Sequence, residues 1–486
     1  MNMREQVQET RQYIDGSWTA SVGGQAVWQD VINPATSECV GRVSLGTAAD
    51  AAAAVRAARR AFDTTDWRVV HRARAELMLR YADRLEARKD EVADLLVTTN
   101  GKIRREAMGE TLAAISELRY YAGIARNLFG RTLEVNPGCF SSLDREAVGV
   151  AAIIVPWNAP VTLLIRSLAP ALAAGCTAVV KAAEQTAAVT NLVLEPLFAD
   201  EALPRGAVNL LHGPDTSPAL CAEPGVDVIS FTGSTKTGKL IAETASRRLT
   251  RLSLELGGKA PAIVFSDCDV AGDPARVAAG ALVQTGQQCT ALARVLVHDS
   301  IYERFSAGLV DVLKNWRVDF GHVPDAQMGC MINTAARDGI ARWVERAADS
   351  ERLLLRGEIP GGALAKGAFI RPSLVEVEDL NSAFVQEEIF GPLLVIERFT
   401  TEEEAITRAN ATRFGLAASV WTSDLAKARR VARHIHSGNV WHNTHNRLFA
   451  EIETGGFRES GIGKLHGLEA MNDFMHTKHF YYELNG

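Results

Sequence analysis

The sequence predicts an α/β protein with two open, mainly parallel sheets, and three observations point there. Its 486 residues exceed what one hydrophobic core organises, so two or three domains are expected. From Gly149 onward, short apolar runs alternate with helical stretches, and the runs lack a polar face. A second series of the same kind starts near Pro261 and continues to about Val440. Strands that are apolar on both faces and separated by helices belong to parallel sheets buried on both sides.

The elements follow in order. The first third reads as mostly helical: Ala48 to Phe62 is alanine-rich, and Trp67 to Thr99 repeats Leu, Met and Tyr at helical spacing. A third helix is expected over about Ile103 to Phe129. Arg131 to Val135 and Cys139 to Arg145 flank Asn136, Pro137 and Gly138 and read as a hairpin. Then come a strand at Val150 to Val155, a helix at Val161 to Ala174, a strand at Ala178 to Lys181 and a helix near Ala187 to Phe198. Strands at Ala207 to Leu211 and Asp227 to Phe231 complete the first series. The second has strands at Ala262 to Phe265, Arg294 to Val297 and Leu393 to Phe399. A domain boundary is expected near Leu256 to Lys259, with no Pro/Ser-rich linker and no internal repeat.

Composition excludes several classes. Hydrophobic residues make up 47% and charged residues 23%, ordinary for a globular protein, and the net charge is −6. No basic block suggests nucleic acid. Met1 to Tyr13 is polar and lacks the apolar stretch of a secretory signal. The longest apolar run, Val148 to Trp157, is about half what a membrane helix needs. A soluble, cytoplasmic protein without membrane partners is expected. Seven cysteines with no CxxC pair describe neither a disulfide framework nor a zinc site; most should be small buried hydrophobes.

Four clusters carry chemistry. Cys289 ends Gly286-Gln287-Gln288-Cys289 among small and polar neighbours. A thiolate adds to an aldehyde carbonyl and gives a thiohemiacetal whose collapse expels hydride. The plainer reading of such a cysteine is a buried structural thiol. Glu255 lies between Leu254 and Leu256, where desolvation would raise its pKa toward that of a general base. The plainer reading is a solvated glutamate at a strand end, but Gly257 and Gly258 argue for a tight turn that exposes it to a cleft. Asn158, in Pro156-Trp157-Asn158, follows a strand and precedes a helix, so it either donates to a developing oxyanion or caps the helix. Phe231 to Gly238, with Gly233 and Ser234, joins a strand to a helix, a natural pyrophosphate site that matches neither GxGxxG nor Walker A.

Taken in order, these clusters resemble the aldehyde dehydrogenase superfamily over essentially the whole chain. The match rests on PWN at Pro156 to Asn158, KAAE at Lys181 to Glu184, FTGST at Phe231 to Thr235 and LELGGK at Leu254 to Lys259. GQQC at Gly286 to Cys289, EEIFGP at Glu387 to Pro392 and ESGIG at Glu459 to Gly463 complete it. The resemblance implies an aldehyde dehydrogenase-like fold with a small β oligomerisation element. It implies an NAD-binding domain over 1–128 and 147–255, a catalytic domain over 256–465, and oligomerisation segments at 129–146 and 466–486. Cys289 is the implied nucleophile, Asn158 and the Cys289 N–H the oxyanion hole, and Glu255 the base that activates water. The implied cofactor residues are Val155, Pro156, Trp157, Lys181, Glu184, Gly213, Phe231, Gly233, Ser234, Gly238, Leu256, Glu388 and Phe390. A carboxylate at Glu184 accepts from ribose hydroxyls and repels a 2′-phosphate, which favours NAD over NADP. Glu255 also favours water over coenzyme A as acyl acceptor.

Two departures bear on substrate. Ser167 stands where the family usually has lysine, and Arg166 falls on the wall of the substrate tunnel. With Arg447 in the polar stretch Trp441 to Leu448, it either grips a carboxylated semialdehyde or forms ordinary ion pairs with neighbours such as Glu451 or Glu453. A neutral or betaine-type aldehyde is the competing specificity. Rival classes are a non-catalytic binding module on the same fold and a cofactor-free thiol esterase. The hairpin and the final segment Lys478 to Glu483 resemble the family's exchanged strands and imply a homodimer or homotetramer.

Overall fold

The computed structural model describes residues 9–22 and 24–484. The amino-terminal half of the polar stretch Met1 to Tyr13 and the last two residues of the 466–486 segment therefore lie outside the described residues.

Two large sheets dominate. In the first, five parallel strands stand in the order Val208–Leu211, Thr177–Lys181, Val150–Ile154, Val228–Thr232 and Arg251–Glu255. A hairpin of Gln12–Ile14 and Ser17–Thr19 closes one edge antiparallel, and Gly461–Ile462 closes the other. The second sheet sets Arg352–Leu355 antiparallel against six parallel strands: Ser373–Glu376, Leu393–Phe399, Leu292–His298, Ala260–Val264, Ala417–Trp421 and Asn439–His442.

Strand alternation explains why the inner strands carry no polar face. Ala151 and Ile153 join one core cluster while Val150, Ala152 and Ile154 join another on the opposite side. The second sheet repeats this, with Ala262 and Val264 in one core and Ile263 and Phe265 in the other. In the first sheet chain order reverses between Val150–Ile154 and Val228–Thr232. The crevice beyond the carboxyl ends at such a reversal is where open α/β sheets bind ligands.

The helices depart from the sequence reading in detail. The first, Ala48–Thr64, starts at a capping box in which Thr47 and Asp50 satisfy each other's backbone amides. The stretch read as one helix over 67–99 is two, His71–Ala87 and Lys89–Asn100, broken at Arg88, whose N–H bonds back to Leu85. The helix expected to Phe129 stops at Ala125; the Asn127 side chain takes the Gly123 carbonyl and ends the ladder. Ahead of Ala48, residues 9–45 form short strands, a departure from the mostly helical reading of the first third.

The hairpin Arg131–Asn136 and Cys139–Ala147 pairs antiparallel with Met475–Glu483 of the same chain, Glu483 opposite Cys139. Its outer strand is exposed along its length. Among the described residues no helix is long and apolar enough to cross a membrane.

Candidate active site

The loop after the strand Val150–Ile154 enters the crevice. Val155 still bonds to Lys181 O, and the helix Pro160–Ala174 begins with proline in its first turn. Ala159, not Asn158, occupies the cap position. Asn158 is buried and its Nδ2 donates to Gln287 O at 3.0 Å, two residues before Cys289. The amide carries a second N–H, available to another acceptor. Asn100 Nδ2 fixes the loop from behind through the Trp157 carbonyl at 2.6 Å.

Cys289 follows an unusual bend. After the helix Asp273–Leu282, Gln284, Thr285 and Gly286 are all left-handed, with φ of 50°, 60° and 71°. A Cβ on Gly286 would stand 2.5 Å from the Gly391 backbone, so glycine is required there twice over. Cys289 itself is half-buried. Burial pushes its thiol up to about 12; Glu255 and Glu388 add to the rise, while Arg166 and the Thr290 N–H oppose it.

Glu255 ends the strand Arg251–Glu255, in register with Thr232 on one side and Gly461 on the other. Its side chain is buried, and Oε1 has no hydrogen-bond partner among the described residues. Burial raises its pKa; the strongest opposing influence is Arg166, whose guanidinium stands 3.9 Å from Oε2. The expected turn at Gly257-Gly258 is absent: residues 256–259 run as irregular backbone outside any turn, and neither glycine has a positive φ. They serve close approach instead. A Cβ on Gly257 would meet Glu388 Oε2 at 2.3 Å, and one on Gly258 would meet Cys289 O at 2.5 Å.

The two arginines separate. Arg166 is buried, donates to Thr232 Oγ1 at 3.2 Å and leaves Nε without a partner among the described residues. Its ion pair is with Glu255, neither Glu451 nor Glu453. Arg447 is exposed and forms no ion pair among the described residues; its carbonyl takes the Trp441 indole N–H at 3.0 Å. Ser167 receives a hydrogen bond from Ser230 at 3.0 Å.

The residues expected at a dinucleotide fall into two groups along the crevice. Glu184 Oε1 accepts from Lys181 Nζ at 2.8 Å and from Gly213 N at 2.9 Å, which joins the ends of two adjacent strands. Ser234 caps the helix Thr235–Ser246 by accepting from Thr237 N. Gly233 passes so close to Phe231 that a Cβ would lie 2.5 Å from the ring, and Gly238 is equally tight against Leu256. Toward Cys289, Glu388 Oε1 accepts from Gly258 N at 2.9 Å, and Phe390 sets its ring perpendicular to Trp157 at 5.8 Å.

A cavity of about 20 Å³, room for one water, lies between Cys289, Glu388, Phe390 and Lys259. Lys259 was not singled out in the sequence beyond its motif. It is buried, Nζ has no hydrogen-bond partner among the described residues, and desolvation lowers its pKa to about 7. Ser460 was likewise missed. It accepts from Gly415 N and donates to Gly257 O, which ties the ESGIG segment to the glycine pair. A buried serine within a glycine-rich stretch was the only signal. Only Cys176, Cys221 and Cys330 of the seven cysteines are buried, fewer than expected, because Cys39 and Cys139 sit on strands open to solvent.

A cysteine thiol, an amide donor and a desolvated carboxylate thus come together at the crevice of an α/β fold, a constellation suited to acyl or aldehyde chemistry. The pattern of the aldehyde dehydrogenase family matches residues 18–480, and the chain belongs to that family. It is 36% identical over 474 residues to aldehyde dehydrogenase 1 of Tanacetum cinerariifolium, covering 96% of this chain and 94% of that one. It is 36% identical over 478 residues to phenylacetaldehyde dehydrogenase of Pseudomonas fluorescens, with 96% and 94% covered. The crystal structure of betaine aldehyde dehydrogenase from Staphylococcus aureus in complex with NAD+ superposes with a TM-score of 0.94 at 35% identity, over 98% of this chain and 95% of that one.

Proposed function

We propose that this enzyme oxidises an aldehyde to a carboxylic acid with NAD, through a covalent intermediate on Cys289. The observation that carries the reading is the Asn158–Gln287 hydrogen bond, which ties the loop at the first sheet's reversal to the loop that presents the thiol. The chain then divides into an NAD-binding domain (1–128 and 147–255), a catalytic domain (256–465) and oligomerisation segments (129–146 and 466–486). Exposed Leu133, Val135, Phe480 and Tyr481 on the three-stranded sheet support a homodimer or homotetramer.

Lys181, Glu184, Gly213 and Ser234 would hold the adenosine ribose and pyrophosphate, and Glu388 and Phe390 the nicotinamide half. The tight backbone at Gly233 and the ready-made carboxylate at Glu184 fit such a group. Bound NAD supplies the hydride acceptor. Cys289 Sγ, its proton given up to water, forms a C–S bond to the carbonyl carbon, whose π pair moves to oxygen. The second N–H of Asn158 and the Cys289 N–H receive the resulting alkoxide. Hydride departs with its electron pair and C=O re-forms as a thioester. Glu255 then removes a proton from water, whose oxygen attacks the thioester; the C–S bond breaks, the thiolate leaves and the acid is released. The unpartnered Glu255 Oε1 and its burial-raised pKa support this role.

For substrate, the buried guanidinium of Arg166, with Nε unpartnered, supports a carboxylated semialdehyde. Its contact with Glu255 favours the second reading, a neutral aldehyde, because that contact already matches the arginine's charge. A cationic aldehyde is disfavoured by the same arginine. Turnover of succinate semialdehyde, an uncharged aldehyde and betaine aldehyde, each with NAD and with NADP, tests both points. Preference for the semialdehyde with NAD is expected; equal efficiency on all three aldehydes removes the anion reading.

A further inference from the structure

The helix Arg104–Ala125 touches both loops that carry the proposed chemistry. Glu106 and Glu110 lie one turn apart on one face of it. Glu110 Oε1 accepts from Val161 N at 2.8 Å and Thr162 N at 3.4 Å, in the first turn of the helix that follows Asn158. The Glu110 carbonyl also takes the Thr162 hydroxyl at 3.0 Å. Its Oε2 pairs with Lys102, and both partners are buried. Glu106 Oε1 accepts from Gln284 N at 2.8 Å, in the bend before Cys289.

Gln284 and Thr285 hold a left-handed backbone that residues with a Cβ avoid. Such a conformation persists only where its surroundings fix it. Glu106 holds the first amide of the bend, and the Glu106 Oε2 atom is shut from solvent with no hydrogen-bond partner among the described residues. The carboxylate is therefore committed to this one contact. The helix's own entry is bound to the second half of the molecule, since Arg104 N donates to Gly321 O at 2.9 Å and Cys330 N to Gly101 O at 3.1 Å.

We infer that this helix sets the separation of Asn158 and Cys289, with Glu106 as the positioning residue for the cysteine loop and Glu110 for the asparagine loop. The inference rests on the reading of Cys289 as nucleophile. Glu106 touches neither substrate nor thiol; it acts through the Gln284 amide. Its acceptor oxygen is what counts, so glutamine replaces it and an apolar isostere does not. Burial, which lifts its carboxyl to about 7, is consistent with a group that works by accepting a hydrogen bond rather than by carrying charge.

Three variants test this: Glu106→Met, Glu106→Gln and Glu106→Asp. The readouts are kcat, KM for NAD, the rate at which iodoacetamide alkylates Cys289, and the melting temperature. Glu106→Met should lower kcat and the alkylation rate by about 100-fold, the cost of a misplacement near 1 Å, with KM for NAD unchanged. Glu106→Gln should stay near wild type. Wild-type kcat in Glu106→Met, or equal impairment in Glu106→Gln, overturns the inference. If Glu106→Met does not fold, Glu106→Asp, which keeps the charge but withdraws the oxygen by one methylene, must show the same split; wild-type kcat there overturns the inference too. Cys289→Ala run alongside separates the two readings. Full activity in that variant sinks the nucleophile assignment, whereas an inactive Cys289→Ala beside an unimpaired Glu106→Met sinks the positioning role alone.

Discussion

Glu255 and Glu184 stand at comparable places, at or just beyond the carboxyl ends of strands in one sheet, yet their surroundings are opposite. One Glu184 oxygen is shared between Lys181 and the Gly213 amide, so the carboxylate is fixed in a charge-assisted network. Glu255 is buried, its Oε1 has no hydrogen-bond partner among the described residues, and its ion-pair partner Arg166 stands 3.9 Å away. A satisfied carboxylate holds a ligand in place. A desolvated, under-bonded one is ready to take a proton. On the proposed reading the same residue type serves two purposes, decided by what the adjacent strands bring to it.

The most damaging test of the contrast is Glu255→Gln. Without the base, thioester hydrolysis stalls and steady-state kcat should fall by about 10²- to 10⁴-fold, while a single burst of NADH survives in stopped-flow absorbance. Loss of the burst together with kcat would assign Glu255 to the earlier, thiol-activating step. Glu184→Ala should behave oppositely: loss of hydrogen bonds to a charged acceptor, about 1.5–3 kcal/mol, raises KM for NAD about tenfold or more and leaves kcat almost untouched. The same variant should narrow the preference for NAD over NADP.

A smaller effect is expected at Arg166. Its guanidinium lowers the pKa of both Glu255 and Cys289, so Arg166→Met lets both rise. Activity needs the deprotonated forms, so the acidic limb of the pH–rate profile moves to higher pH. The measurement uses an uncharged aldehyde, which keeps any role in substrate binding out of the result. A profile that stays in place would show that the contact has no electrostatic consequence.

Much of this was legible before folding was considered. Parallel strands buried on both faces are uniformly apolar, so Val150 to Val155 and Ala262 to Phe265 declared themselves. Cys289, Glu255 and Asn158 were legible through the order of their motifs. What escaped depends on strands far apart in sequence. The Arg166–Glu255 contact exists because the helix after one strand packs beside the end of another, and no local pattern encodes that meeting. Gly257 and Gly258 looked like a turn because glycine's two uses, positive φ and close approach, read identically in sequence. Glu106 carries no local signal, since its partner lies 178 positions away. The break at Arg88 carried no proline or glycine to announce it.

The proposed role of Cys289 as covalent nucleophile is tested by NADH formation by wild type and Cys289→Ala with NAD and a shared aldehyde. Rapid NAD reduction is expected in the wild type and none in the variant, with its melting temperature and NAD binding unchanged. NAD reduction that persists in Cys289→Ala would contradict it.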